Sequence, residues 1–141
     1  MPKIFTSKTQ KIGEIGEDIA CKYLQQKGFQ IIERNYTKKW GEIDIIALKS
    51  KKIHFIEVKS VSYLSAKVRS ESGDASEREI GLPTIRPEEN MHPEKLKRFY
   101  RTIQTYIESY HVLYEYQIDL LTVLLNQKDK TAKIELIENI C

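Results

Sequence analysis

Two short apolar runs, each interrupted by a carboxylate, constrain the fold of this chain more than any other feature. The first is Gly41–Leu48 (GEIDIIAL) and the second is Ile53–Ser60 (IHFIEVKS), with only four residues between them. Their Ile-rich composition is typical of strands buried on both faces, and the short connection predicts an antiparallel pair. Asp44 and Glu57 therefore lie inside the predicted sheet, where a carboxylate without a partner is expensive to bury.

The segments around these runs predict an α/β fold. The periodic segments are a helix at about 11–27, strands at 29–36, 41–48 and 53–60, a helix beginning at Pro93, and strands at 114–125 and 133–137. Gly28 is expected to end the first helix, and residues 61–92 are expected to form a long irregular loop. Because the second helix can act as a crossover, the strand after it can return parallel to an earlier one. The sequence predicts a mixed β-sheet flanked by helices.

Length, composition and charge limit the classes of function. The 141 residues, 40% of them hydrophobic, are predicted to form a single domain, 1–141. No window approaches the roughly 18 apolar residues of a membrane span, and no apolar secretory segment is present, so a cytoplasmic location without a membrane partner is expected. The three histidines and two cysteines form no sequence cluster, so no structural zinc site is predicted. A net charge of +3 permits nucleic-acid binding without requiring it.

The two strand carboxylates and a nearby lysine form a candidate metal-dependent hydrolytic site. Two neighbouring carboxylates repel each other, and a cation removes that repulsion. Mg²⁺, for which Mn²⁺ can substitute, takes one or two protein carboxylates and fills its octahedron with water and phosphate oxygens. Lys59 shares a strand face with Glu57, and it is predicted to orient the attacking water or to stabilise the transition state. Asp44, Glu57 and Lys59 are therefore the predicted catalytic residues.

Three further positions belong to the same prediction, and each has an alternative interpretation. The backbone carbonyl of Val58 is predicted to assist the metal ligands. Glu17, at the border of the buried face of the first helix, is predicted to complete the metal shell, although a helix-edge acid is often merely solvated. Glu42 shares a strand face with Asp44 and is predicted to support the ligands from the strand entrance. The E-x-K pattern itself is often an exposed cross-strand ion pair.

Several motifs together resemble the YraN family of predicted endonucleases. They are Gly13–Ala20 (GEIGEDIA), Arg34–Tyr36 (RNY), Gly41–Ala47 (GEIDIIA), Phe55–Lys59 (FIEVK) and the later Lys95. That family is similar to archaeal Holliday-junction resolvases and to RecB-type nuclease domains of the PD-(D/E)xK superfamily. The resemblance covers nearly the whole chain, and it implies a restriction-endonuclease-like core.

The resemblance also implies roles for individual residues. Glu17, Asp44, Glu57 and Lys59 match the superfamily's active positions, and Lys95 is implied to face DNA. Arg98 and Arg34 are further candidates for nucleic-acid binding, although basic residues on a helix often form only its solvated face. Asp119 matches a position where the family often has an acid, and a structural role for it is an equal alternative. The chain departs from the family at Ser60–Ser62, where a basic residue is usual, and in its longer loop at 61–92.

The leading hypothesis is a divalent-metal-dependent endonuclease that hydrolyses DNA phosphodiesters, with branched or structured DNA as the candidate substrate. DNA repair or recombination is the implied setting. A non-catalytic nucleic-acid-binding module with the same fold is the alternative, and a protein-interaction adaptor is a third hypothesis. Many relatives of junction resolvases act as two-fold dimers, so a homodimer is a candidate assembly.

Overall fold

The computed structural model describes residues 8–64, 66–69, 77–80 and 91–140, and these form two helices and seven strands. The helices are α1 (Lys8–Gln26) and α2 (Pro93–Tyr110). The strands are β1 (Gln30–Lys38), β2 (Gly41–Lys49), β3 (Lys52–Tyr63), β4 (Ala66–Arg69), β5 (Glu77–Ile80), β6 (Glu115–Asn126) and β7 (Thr131–Ile137). This order confirms the predicted α/β class.

Five of the strands form one mixed sheet in the order β1-β2-β3-β6-β7. The pairs β1–β2, β2–β3 and β6–β7 are antiparallel, whereas β3 and β6 are parallel along their full length, from Lys52 beside Glu115 to Tyr63 beside Asn126. The helix α2 connects the parallel pair, as a parallel pair requires. The architecture is consistent with the restriction-endonuclease-like core predicted from the sequence.

Each face of the sheet is covered by one helix, which explains why the central strands are apolar on both sides. The α1 side buries Ala20, Leu24, Ile45, Ile56 and Leu121. The α2 side buries Ile46, Phe55, Phe99, Ile103 and Ile118. Residues 55 and 56 thus point to opposite helices, and the same alternation places Glu57 on the α2 side.

The helix ends follow local sequence chemistry. Gly28 adopts a φ of +91°, and the N–H of Phe29 donates to the carbonyl of Leu24 at 2.9 Å, which closes α1 as predicted. Pro93 opens α2, and His111 closes it in the left-handed region, with the N–H of Val112 donating to Ile107. No helix in the described part of the chain combines the length and apolar character needed to cross a membrane.

The segment predicted as an irregular loop at 61–92 contains more regular structure than expected. The strand β3 continues to Tyr63, and β4 pairs with β5 as a separate two-stranded antiparallel sheet. Each of these strands is only four residues long and lies in a largely polar stretch of sequence, so the segment as a whole showed no sustained periodicity. The rest of the predicted loop, at 65, 70–76 and 81–90, lies outside the described residues.

Candidate metal and nucleic-acid site

The candidate site lies where β2 and β3 separate. Their ladder runs from Lys49 beside Lys52 to Ile45 beside Ile56 and ends there, although β2 begins at Gly41 and β3 continues to Tyr63. The next positions in this register are Asp44 and Glu57. Oδ2 of Asp44 accepts a hydrogen bond from the backbone N–H of Val58 at 2.8 Å, so a side chain takes the place of the next ladder bond. The predicted carboxylates therefore meet in a gap between two central strands.

The electrostatic environment of Asp44 is strongly unfavourable to its charge. Burial raises the pKa of the Asp44 carboxyl well above its ordinary value, and the nearby Glu57 raises this pKa further. The charges of Glu17 and Glu42 also raise the pKa of Asp44, whereas the hydrogen bond from the N–H of Val58 lowers it. The folding of α1, β2 and β3 thus concentrates the negative charge of four acids, and this arrangement is suited to a bound cation.

An open cavity of about 300 Å³ gives access to these acids. Its lining residues are Gly41, Glu42, Asp44, Glu57, Lys95, Arg98 and Phe99. Nζ of Lys95 donates to Oε1 of Glu57 at 2.6 Å, so α2 brings a cation directly to one of the two strand carboxylates. One wall of the cavity is acidic and the other is basic. The acidic wall suits a metal ion, and the basic wall suits a phosphate group bound to that ion.

Two glycines allow the helices to approach the acids closely. A Cβ atom on Gly16 would lie 1.6 Å from Oγ of Ser60, so α1 can contact β3 there only without a side chain. A Cβ atom on Gly41 would lie 2.5 Å from Oγ1 of Thr102 in α2. Each glycine directly precedes an acid of the site, Glu17 or Glu42. The Gly-Glu pairs of the sequence therefore combine a close packing contact with a carboxylate.

The remaining predicted residues occupy different positions around the site. Glu42, Lys95 and Arg98 line the cavity. Lys59 is exposed on β3 and is not among the residues that line the cavity. Arg34 forms ion pairs with Asp18 at 2.9 Å and with Glu17 at 3.7 Å, so its guanidinium group lies beside α1.

Sequence reasoning missed two of these contacts. It treated Lys95 as a DNA-facing residue and did not predict its bond to Glu57, which depends on how α2 crosses the sheet. It also did not predict the Arg34–Asp18 pair, for which the sequence contains no periodic signal.

Comparison with known proteins identifies the family. Residues 16–123 match the model of a family described as "Uncharacterised protein family UPF0102". The chain belongs to the UPF0102 family. A UPF0102 protein of Helicobacter hepaticus is 37% identical over 128 residues, which cover 91% of this chain and 92% of that protein. A UPF0102 protein of Helicobacter pylori is 36% identical over 138 residues, covering 98% of this chain and 97% of the relative.

Membership of UPF0102 confirms the resemblance to the YraN family found in the sequence motifs. A UPF0102 protein of Campylobacter lari is 38% identical over 125 residues, covering 89% of this chain and 88% of the relative. The matched region includes Glu17, Asp44, Glu57, Lys59 and Lys95. The names of these relatives state the family and no activity.

Proposed function

We propose that this UPF0102 protein is a divalent-metal-dependent endonuclease that cleaves phosphodiester bonds of DNA. The observation that carries the proposal is the partly buried carboxylate of Asp44, which lies beside Glu57 at the point where β2 and β3 separate. A chain that needed only stability would gain by replacing such a crowded acid with an apolar residue. Retaining it is reasonable where a bound cation offsets the repulsion.

The donor atoms around Asp44 fit Mg²⁺ or Mn²⁺. Asp44 and Glu57 offer carboxylate oxygens on adjacent strands, and Glu17 on α1, whose charge raises the pKa of Asp44, is the candidate for a third ligand. The N–H of Val58 points toward β2, and in a strand the carbonyl of the same residue points to the same side. This geometry supports the carbonyl of Val58 as a further oxygen donor beyond the end of the ladder. Hard oxygen donors of this kind suit Mg²⁺ better than they suit softer metals.

The division of labour follows from the chemistry of each side chain. When bound, Mg²⁺ lowers the pKa of a water ligand and offsets charge on the phosphate. Asp44 and Glu57 hold the ion, with Glu42 beside them in the cavity wall. Lys59 is the candidate for orienting the attacking water or stabilising the pentavalent phosphate. Lys95 and Arg98, on the opposite wall, are the candidates for binding DNA phosphates.

The test is cleavage of plasmid, linear duplex, single-stranded and four-way-junction DNA with Mg²⁺ or Mn²⁺. The wild type is compared with the Asp44→Asn and Glu57→Gln variants, and with Glu108→Gln as a control for an exposed helix acid. We expect cleavage by the wild type and the control, loss of cleavage in both site variants, and faster cleavage of the junction. Cleavage that persists equally in Asp44→Asn would refute the proposal.

A non-catalytic nucleic-acid-binding module is the second candidate function, and the Lys95–Glu57 bond favours it. Lys95 neutralises Glu57 without any metal, so part of the carboxylate repulsion is already relieved by the protein. This hypothesis predicts that the protein binds DNA in the presence of EDTA and that Mg²⁺ changes neither its melting temperature nor the DNA. The same assays therefore separate the two functions, and sedimentation with and without junction DNA tests the proposed two-fold dimer.

A further inference from the structure

A second group of metal-ligating side chains lies on the other face of the sheet from Glu57. The group consists of His54 on β3, Asp119 on β6 and Glu138 just after β7. His54 lies on the same face as Ile56, which packs toward α1, and its ring contacts Phe29 edge-on at 4.9 Å. Each of the three side chains offers one ligand atom, and these three atoms lie within 4.8 Å of one another.

Asp119 is the fixed centre of this group. Its side chain is fully buried, and Oδ2 lies 2.6 Å from Nδ1 of His54. Oδ1 accepts hydrogen bonds from Nε2 of Gln117 at 2.8 Å and from the backbone N–H of Asn139 at 2.9 Å. Bonds of this kind hold a ligand in one orientation before an ion arrives, which lowers the ordering cost of binding.

Glu138 is held near Asp119 by the two residues that follow it. Asn139 bonds to Asp119, and the N–H of Ile140 donates to the carbonyl of Ile118 at 2.9 Å. Glu138 itself is exposed, whereas His54 and Asp119 are buried. The group therefore has two members buried inside the protein and one member open to solvent, so an ion can enter from the surface.

The ligand set distinguishes this group from the acids around Asp44. Metal–ligand distances of about 2.0–2.2 Å place two ligand atoms of one tetrahedral ion roughly 3.4 Å apart, so Nδ1 of His54 and Oδ2 of Asp119, now 2.6 Å apart, would separate when the ion enters. An imidazole favours zinc, cobalt and nickel ions, whereas Mg²⁺ prefers an all-oxygen set. The hydrogen shared between His54 and Asp119 would leave when an ion binds, because metal ligands must be deprotonated.

We propose that His54, Asp119 and Glu138 form a binding site for a transition-metal ion of the zinc class. The ion would join β3, β6 and the segment 138–140, and so fasten the C-terminal segment to the sheet. This site is independent of the proposed nuclease function, because its residues lie on the opposite face from Glu57. It also departs from the sequence-based expectation of no structural zinc site, since residues distant in the chain meet only through the parallel pairing of β3 and β6.

The experiment is a titration of the untagged, metal-free protein with Co²⁺, followed by its visible absorption, and then by competition with Zn²⁺. In the Asp44→Asn/Glu57→Gln background, which removes the other candidate metal site, we expect one Co²⁺ per chain, displaced by Zn²⁺, and an affinity at least about 10-fold lower when Glu138→Gln is added. Glu135→Gln, an exposed acid of β7, is the matched control and should bind as the wild type does. The Asp44→Asn/Glu57→Gln variant should also bind Co²⁺ normally.

Amide hydrogen exchange provides a second readout that does not depend on absorption. Zn²⁺ should slow exchange at Asn139 and Ile140 in the wild type and leave it unchanged in Glu138→Gln. The proposal is wrong if neither ion binds, if Glu138→Gln binds as tightly as the wild type, or if binding requires Asp44 and Glu57. Because cleavage is measured with Mg²⁺ or Mn²⁺ and different variants, failure of this proposal leaves the nuclease proposal intact.

Discussion

Nζ of Lys95 lies 2.6 Å from Oε1 of Glu57, so a side chain of α2 neutralises one of the two carboxylates that meet between β2 and β3. Lys95 is about one-third exposed, whereas the side chain of Glu57 is mostly buried. A metal ion bound as proposed at Asp44 and Glu57 would compete with the Lys95 ammonium group for the same carboxylate oxygens. On the proposed function, this competition would couple metal binding to DNA binding, because a lysine displaced from Glu57 is free to contact phosphate.

Replacing Lys95 should alter stability and metal response together. Lys95→Ala leaves Glu57 beside Asp44 without its cation, so the free energy of unfolding in EDTA should fall by about 1 kcal/mol. The gain in melting temperature on adding Mg²⁺ should then exceed that of the wild type, because no ammonium group must be displaced. Lys97→Ala, at an exposed position of the same helix, is the control for lost helix charge. Equal Mg²⁺ responses in the wild type and Lys95→Ala would contradict the competition.

Neutralising Asp44 should change how stability depends on pH. Because its pKa is raised on folding, the folded chain retains a proton that the unfolded chain releases above about 3.8. Metal-free wild type should therefore lose stability as the pH rises from that value through the higher folded pKa. Asp44→Asn cannot lose this proton, so its stability relative to the wild type should increase over the same range. Urea unfolding in EDTA at several pH values measures the free energy of unfolding of both proteins. If the two plots of this free energy against pH run parallel, the pKa of Asp44 is not raised on folding.

Lys59 should affect the chemical step rather than metal binding. It is exposed and is not among the residues that line the carboxylate cavity, so Lys59→Met should preserve the Mg²⁺-induced rise in melting temperature. Loss of a charge that stabilises the transition state should lower kcat by about 100- to 1000-fold. Single-turnover cleavage measures this step, and Lys133→Met on β7 is a matched exposed control. Normal cleavage by Lys59→Met would remove Lys59 from the catalytic residues.

Gly16 should tolerate no side chain, because α1 contacts β3 at that point. Gly16→Ala places a methyl group against Ser60 and should lower the free energy of unfolding by about 1–3 kcal/mol. Gly13→Ala lies in the same helix, where no described atom is within 4 Å of the new methyl group. The Gly13→Ala substitution should raise the free energy of unfolding by about 0.5–1 kcal/mol. Thermal unfolding of the two variants should therefore shift in opposite directions, and equal shifts would contradict the close contact.

The sequence predicted the order and type of the main elements because each carries its own periodicity. Asp44 and Glu57 could be selected because a carboxylate in an apolar strand is conspicuous, and their meeting followed from a short antiparallel connection. Contacts between distant segments could not be predicted in this way. Lys95 reaches Glu57, and His54 reaches Asp119, only through the path of α2 and the register of β6. An acid and a histidine at unrelated sequence positions contain no information about that register.

The parallel pairing of β3 with β6 has a consequence for the order of events during synthesis. The strand β3, which carries Glu57, can pair with β2 as soon as both have left the ribosome, since their connection is a tight turn. Its other edge remains open until α2 and β6 have been made, and contacts between distant segments form slowly. A growing chain therefore has Asp44 and Glu57 in place before Lys95 arrives. The contact between Glu57 and Lys95 can therefore form only after α2 has been made, whereas the two carboxylates can meet earlier.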